Sequence, residues 1–132
     1  ALADLALDTY HHAGGVTTTD ALWAGLPVLT IMHDGMVDRL GGSVLTAAEL
    51  PELIATSLDD YMRKALAFYK DRDSLLNIRS KLKENQASAP LFDTPRLTRD
   101  LEAMFREMWH RYQDAAPLSD IRLPAVSAPL HD

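Results

Sequence analysis

Leu2-Ala3-Asp4-Leu5-Ala6-Leu7, Gly14-Gly15-Val16-Thr17-Thr18-Thr19-Asp20 and Pro27-Val28-Leu29-Thr30-Ile31-Met32 follow one another at the start of the chain. Their order decides the fold. The first is a short apolar run closed by Asp8-Thr9, which predicts a buried strand. Residues Thr17 to Ala24 carry Ala21, Leu22 and Trp23 and stop at Gly25, with Pro27 beyond, so they predict a short helix. The third run predicts a second strand, and Pro27 is acceptable at its first position. Strand, glycine turn, helix and strand within about thirty residues make the βαβ unit of a parallel sheet. Two strands leave both edges open, and parallel sheets are covered on both faces. Further strands are therefore expected from sequence outside these residues. The chain also opens on Ala1 inside an apolar run, without an initiator Met. Both observations make it read as a piece of a longer protein.

Outward from that unit the pattern turns helical. Asp38 to Ala48 predicts a helix broken by Gly41-Gly42, and Leu53-Ile54-Ala55 a brief edge strand. Leu58, Tyr61, Met62, Ala65, Leu66 and Tyr69 recur at helical spacing over Leu58 to Lys70. Leu75, Leu76, Ile78 and Leu82 do the same over Asp73 to Gln86. Thr94-Pro95 reads as a helix entry, Thr as cap and Pro first in the helix. The following helix carries Leu97, Leu101, Met104, Phe105, Met108, Trp109 and Tyr112 as an apolar stripe, a pattern commoner in a core than in a partner groove. Pro117, Pro124 and Pro129 punctuate a tail without periodicity, which must run along a surface or be loose. The length fits one domain and not two. The expected division is a βαβ half-lobe at 1–57, a helical part of the same lobe at 58–115 and the tail at 116–132.

Composition removes several function classes. Lys and Arg number 13 against a net charge of -6, with no basic cluster. Nucleic-acid binding needs a concentrated basic face, so no nucleic-acid partner is expected. Cysteine is absent, which excludes disulfides, thiolate metal sites and a Cys nucleophile. No apolar run nears the roughly 18 residues that span a bilayer, so no membrane partner is expected. No signal peptide is visible either, because Asp4 interrupts an unbasic start. These absences fit a cytoplasmic protein.

The turn from Gly14 to Asp20 is the informative feature. A helix start presents free backbone N–H groups and the positive end of a dipole. Glycines let a ligand approach the backbone, and threonine hydroxyls add donors at the same place. This is an anion site at the C-terminal end of a strand, where ligands bind in open α/β sheets. A threonine that only caps the helix would look the same, and the pattern alone does not separate the two. The turn is neither a Walker A loop nor a dinucleotide fingerprint. Asp20 suits a ribose hydroxyl, or simply sits near a positive helix end; Asp8 carries the same two readings. His11 and His12 are adjacent and point apart in extended chain, a poor arrangement for one metal. His33, His110 and His131 are isolated, and metal binding is not expected. Arg39 suits an anion or an ordinary surface position. Trp23 reads as a core residue of its helix.

Leu7-Asp8-Thr9, Gly14-Gly15, Thr17-Thr18 and Asp20-Ala21-Leu22-Trp23-Ala24-Gly25-Leu26-Pro27-Val28 together closely resemble the O-GlcNAc transferase family. That family includes SPINDLY-type protein O-fucosyltransferases and bacterial homologues with tetratricopeptide repeats. The likeness continues at Arg39, Ser43, Leu45 and Leu53-Ile54-Ala55. It returns at Ala89-Pro90-Leu91-Phe92-Asp93-Thr94, Leu101-Glu102 and Met108-Trp109 through Tyr112, covering about residues 1 to 115. The resemblance implies an α/β fold, the C-terminal half of a Rossmann-like donor-binding lobe in a two-lobed (GT-B type) glycosyltransferase, followed by several helices. It implies a metal-independent, inverting enzyme with a nucleotide-sugar donor and no cofactor. By the resemblance, Gly15, Val16, Thr17 and Thr18 hold the donor diphosphate, Asp20 contacts the ribose, and His12 lies near the donor sugar. Departures from the family pattern stand at Ala13 (usually Asn), Val16 (commonly Thr), His12 (Cys or Tyr) and His33 (Gly). Without a hydroxyl at Val16, backbone amides and Thr17 are left to hold the phosphates.

The family's phosphate-contacting Lys, its acceptor-side His, its base-reading segment and its repeats would lie upstream of Ala1. No catalytic residue is therefore expected in this chain, and alone it is expected to be inactive. UDP-GlcNAc is the commoner donor in the family and GDP-fucose the alternative. Acceptor proteins would be recognised through the upstream repeats. A different class of reading is a non-catalytic nucleotide-sugar-binding or docking module that uses the Leu97 to Tyr112 helix and the tail.

Overall fold

Val28–Ile31 (β2) is buried at every position, and the rest of the sheet is built on it. A computed structural model describes residues 3–122. β2 pairs in parallel with Ala6–Leu7 (β1) on one side and with Ile54–Ala55 (β3) on the other. Ala6 faces Val28, and Thr30 faces Ile54. The expected brief edge strand is thus present and makes β2 central, with order β1-β2-β3. β1 is shorter and less buried than its apolar letters suggest. Only two residues pair, and Leu7 is 59% exposed, because one side of β1 has no neighbouring strand among the described residues. Leu2, in the expected strand, lies outside the described residues.

The helix after β1, Val16–Trp23 (α1), begins one residue earlier than the threonines suggest, with Gly15 as its cap and no side-chain capping bond. It ends in a turn that needs glycine. Gly25 has φ +74, and the N–H groups of Gly25 and Leu26 donate to the carbonyls of Leu22 and Ala21. A left-handed residue costs least as glycine there. A short 3-10 turn over Val37–Arg39 leads into Leu40–Ala47 (α2). The glycines at 41 and 42 do not break this helix. Both are buried inside it because the helix lies close upon β2 and its neighbours.

Ser57 caps Leu58–Lys70 (α3) by accepting from the Asp60 N–H, and Asp71 caps Arg72–Asn85 (α4) through the Ser74 N–H. Lys64 of α3 donates to the carbonyls of Glu52 and Ile54, fixing the entry to β3. From α4, Asn85 donates to the Ala48 carbonyl at the end of α2, and Gln86 to the Leu22 carbonyl at the end of α1. The first supplies a donor to a helix-end carbonyl, and the second adds to the Gly25 N–H already on the Leu22 carbonyl. The core gathers Leu22, Val28, Leu45, Ala48, Leu50, Leu53, Ile78 and Leu82. A leucine buried as fully as these contributes about 1.5–3 kcal/mol. Trp23 is not among them: it is 53% exposed and packs edge-on against Phe92, because α1 turns Leu22 inward instead.

The chain forms two compact units, Ala1–Phe92 and Asp93–Asp132. The first includes α3 and α4, which pack in the same layer system as the sheet. The second contains Thr94–Gln113 (α5). Asp93, not Thr94, caps this helix by accepting from the Arg96 N–H, and Pro95 sits in its first turn. No residue of α5 is buried, and the stripe expected in a core is exposed, Phe105 at 63% and Tyr112 at 77%. From the last turn of α5, Arg111 donates to the Ser119 side chain beyond the helix. The part of the expected tail from 123 to 132, with Pro124, Pro129 and His131, lies outside the described residues. Among the described residues no helix is long and apolar enough to cross a membrane.

Candidate functional site: the glycine–threonine turn

β1 ends at Leu7, and the chain from Asp8 to Gly15 carries it across the C-terminal edge of the sheet to the start of α1. The first question is where the turn's backbone donors go. The Gly14 N–H points back at the Asp8 carboxylate, 3.0 Å from Oδ1. The N–H groups of Gly15, Val16, Thr17 and Thr18 have no hydrogen-bond partner among the described residues, and the first donor engaged in the helix is Thr19, to the Gly15 carbonyl. Four adjacent donors at the positive end of a helix, with glycine on the approach, form an anion-binding arrangement.

The side chains divide into those facing out and those facing in. Val16 and Thr17 are exposed; Thr18 is 3% exposed and is turned inward. Thr19 directs its hydroxyl to the Gly15 carbonyl. Asp20 is exposed and is the fifth residue of α1, not in its first turn, because the helix starts at Val16. That position removes the helix-dipole explanation for a carboxylate here, since the effect fades beyond the first turn. The Asp20 carboxylate has no hydrogen-bond or ion-pair partner among the described residues, while its carbonyl accepts from the Ala24 N–H within the helix end. Leu40, first in α2, borders Gly15: a Cβ placed there would lie 3.8 Å from Leu40 Cδ1. His12 is exposed, and its carbonyl accepts from the Thr9 hydroxyl. Tyr10 stands edge-on to both His11 and His33, at 4.2 and 5.2 Å between ring centres. The buried Nε2 of His33 has no partner among the described residues. Arg39 is exposed, with no acidic partner among them.

Asp8, which the sequence left between two readings, is not a free acceptor. Its carboxylate takes the N–H groups of Thr9 and Gly14 and the hydroxyl of the fully buried Thr30. Tyr61 of α3 donates to the Asp8 carbonyl at 2.8 Å. Burial, and secondarily the Asp8 carboxylate, raises the Tyr61 phenol above its ordinary pKa. No sequence motif signals these contacts: Thr30 and Tyr61 lie 22 and 53 residues away along the chain. A cleft of about 520 Å³ lined by Leu5, Leu7, Phe68, Leu75 and Leu76 contains none of the turn's residues.

Residues 1–101 match the profile of glycosyl transferase family 41. The chain belongs to that family. Among curated relatives it is 39% identical over 111 residues to a probable UDP-N-acetylglucosamine--peptide N-acetylglucosaminyltransferase SPINDLY of Eustoma exaltatum subsp. russellianum, covering 84% of this chain and 12% of that one. It is 35% identical over 120 residues to the UDP-N-acetylglucosamine--peptide N-acetylglucosaminyltransferase of Caenorhabditis elegans, covering 91% and 10%. A solved structure of a mutant O-GlcNAc transferase from Thermobaculum terrenum superposes with a TM-score of 0.77 at 34% identity, over 86% of this chain and 22% of the other. The chain therefore spans a small part of each family member it matches. The mixed α/β fold with its small parallel sheet is the fold of that part of the family.

Proposed function

We propose that this chain supplies the donor-binding part of a protein O-glycosyltransferase that moves N-acetylglucosamine from UDP-GlcNAc to Ser or Thr of acceptor proteins. The observation that carries it is the run of four N–H groups from Gly15 to Thr18, unpartnered among the described residues, at the C-terminal edge of a parallel sheet, in a chain whose relatives bear that activity in their names. Gly15, Val16 and Thr17 hold the diphosphate through their amides, Thr17 adds its hydroxyl, and the buried Thr18 backs the turn from within. Asp20, exposed one turn further on with a carboxylate unpartnered among the described residues, accepts from the ribose. His12 lies toward the donor sugar.

The reaction is attack of the acceptor hydroxyl on the anomeric carbon, with the bond to the nucleoside diphosphate breaking. Negative charge grows on the departing phosphate oxygen. Fixed amide donors and a helix N-terminus stabilise that charge without reorganising, which is how such sites lower a barrier. The reading calls for no metal ion. It places the general base, the remaining phosphate contacts and acceptor recognition outside these 132 residues, so the isolated chain is expected to transfer no sugar.

The test is donor affinity in the full chain, by titration calorimetry, for Thr17→Ala and Asp20→Ala. Each removes a hydrogen bond to a charged or polar donor group and is expected to weaken UDP-GlcNAc binding about tenfold, the equivalent of roughly 1.4 kcal/mol. Unchanged affinity in both variants would reject the site.

A further inference from the structure

We infer that Asp8 is a positioning residue for the donor-diphosphate turn: its carboxylate fixes which of the turn's amides face outward. The inference rests on the diphosphate reading of the turn and adds a residue that touches no ligand.

Asp8 is enclosed on three sides. From the turn, the Gly14 N–H lies 3.0 and 3.2 Å from its two oxygens. From the central strand, the Thr30 hydroxyl donates to Oδ2 at 2.7 Å, and Thr30 is fully buried. From α2, Gly41 closes the pocket: a Cβ there would stand 2.7 Å from Asp8 Oδ2 and 2.7 Å from Thr30 Oγ1. A Cβ on Gly14 would stand 2.6 Å from the hydroxyl oxygens of both Thr17 and Thr18 and 3.3 Å from Asp8 Oδ1. Two glycines on different elements thus make room for one carboxylate and the threonines beside it. Tyr61 holds the backbone of the same residue from α3.

Electrostatics make this placement informative. A carboxylate behind a diphosphate site repels the ligand, and an anion site gains nothing from its charge. What Asp8 supplies is direction. By engaging Gly14 it holds that amide inward, next to the Gly15, Val16 and Thr17 amides, which have no partner among the described residues. The shape of the side chain is therefore required and its charge is not.

Two substitutions separate shape from charge. Asp8→Asn keeps an oxygen for the Thr9 and Gly14 amides, and its amide nitrogen can donate to Thr30 Oγ1. Asp8→Ala removes all three contacts. Dissociation constants for UDP and for uridine are measured by calorimetry on the full chain, with Thr30→Val as a milder perturbation of the same network. The expected result is that Asp8→Ala weakens UDP at least about tenfold, the loss of one well-placed charged hydrogen bond, while uridine, which has no phosphate to place, changes less than about twofold. Thr30→Val shows the same selective loss at smaller size. Asp8→Asn binds UDP as well as the parent or better.

General loosening of the fold would lower the bound fraction for both ligands alike and would overturn the inference. So would UDP affinity unchanged in Asp8→Ala, or Asp8→Asn as weak as Asp8→Ala. A parent protein that binds uridine and UDP equally would instead overturn the diphosphate reading itself, and with it this inference.

Discussion

Replacing Gly41 with alanine puts a methyl group where α2 meets the central strand. Two effects oppose each other. Alanine is the better helix former, by about 1 kcal/mol in an exposed helix interior. Against that, the new Cβ would lie 2.7 Å from Asp8 Oδ2, 2.7 Å from Thr30 Oγ1 and 3.2 Å from Thr30 Cβ. None of these is the loose end of a flexible side chain. Thr30 belongs to the buried central strand, and the Asp8 carboxylate is held by the Gly14 N–H and the Thr30 hydroxyl. Overpacking a site of this kind costs about 1–3 kcal/mol. Relief by moving Asp8 leaves the buried Thr30 hydroxyl without its acceptor, a further cost of about 1–3 kcal/mol. The clash outweighs the propensity, and a net loss of about 3 kcal/mol is expected. Urea unfolding followed by far-ultraviolet circular dichroism measures it. Gly15→Ala is the control, since its Cβ would meet only Leu40 Cδ1 at 3.8 Å and its φ is -100; its stability should match the parent. A Gly41→Ala protein as stable as the parent, or more so, would refute the close approach of α2 to Asp8 and Thr30.

Glu49 has φ 59 just past the end of α2, where the Glu49 and Leu50 N–H groups donate to the carbonyls of Thr46 and Leu45. Glu49→Gly removes the left-handed penalty and should raise unfolding free energy by about 1 kcal/mol in the same urea assay. Tyr61→Phe deletes the bond to the Asp8 carbonyl and should cost about 1 kcal/mol at neutral pH. The folded Tyr61 pKa lies above the phenol's ordinary value of 10.0. Its stabilisation is therefore complete below pH about 10 and lost as pH rises through the folded pKa. A pH series of melting curves should show that alkaline loss in the parent and a shallower one in Tyr61→Phe. Asp60 moves the other way. Burial pushes its carboxyl up, but the Thr56 N–H, Arg63 and Lys64 together bring it below 3.8, so its small contribution is lost as pH falls below about 3.8.

The local signals in the chain were legible where they depend on neighbours in sequence. Leu58–Lys70 forms a helix over the residues its apolar spacing predicts, and Gly25 ends α1 as a glycine should. The parallel pairing of β1 with β2 follows from the strand–turn–helix–strand order alone. The misreadings lie where distant residues decide. Gly41 and Gly42 look like helix breakers until the strand beneath them is seen. Trp23 looks like core until Leu22 takes the inward position. Asp8 looks like a ligand contact until Thr30 and Gly14 take up its carboxylate. Thr94 lost the cap to Asp93 by a shift of one residue, within the usual fraying of helix ends. At the turn itself, the letters promised free amides but could not say which. The inward engagement of Gly14 and the burial of Thr18 narrow the outward set to Gly15, Val16 and Thr17.

Those three amides are where the diphosphate reading is most directly exposed to test. Hydrogen exchange at Gly15, Val16 and Thr17, measured in the full chain without ligand, with uridine and with saturating UDP, reports on them residue by residue. They carry no partner among the described residues, so they should exchange fast in the free protein and with uridine, and slow markedly with UDP. Bound UDP that protects other amides while these three exchange as before would contradict the assignment of the turn as the diphosphate site.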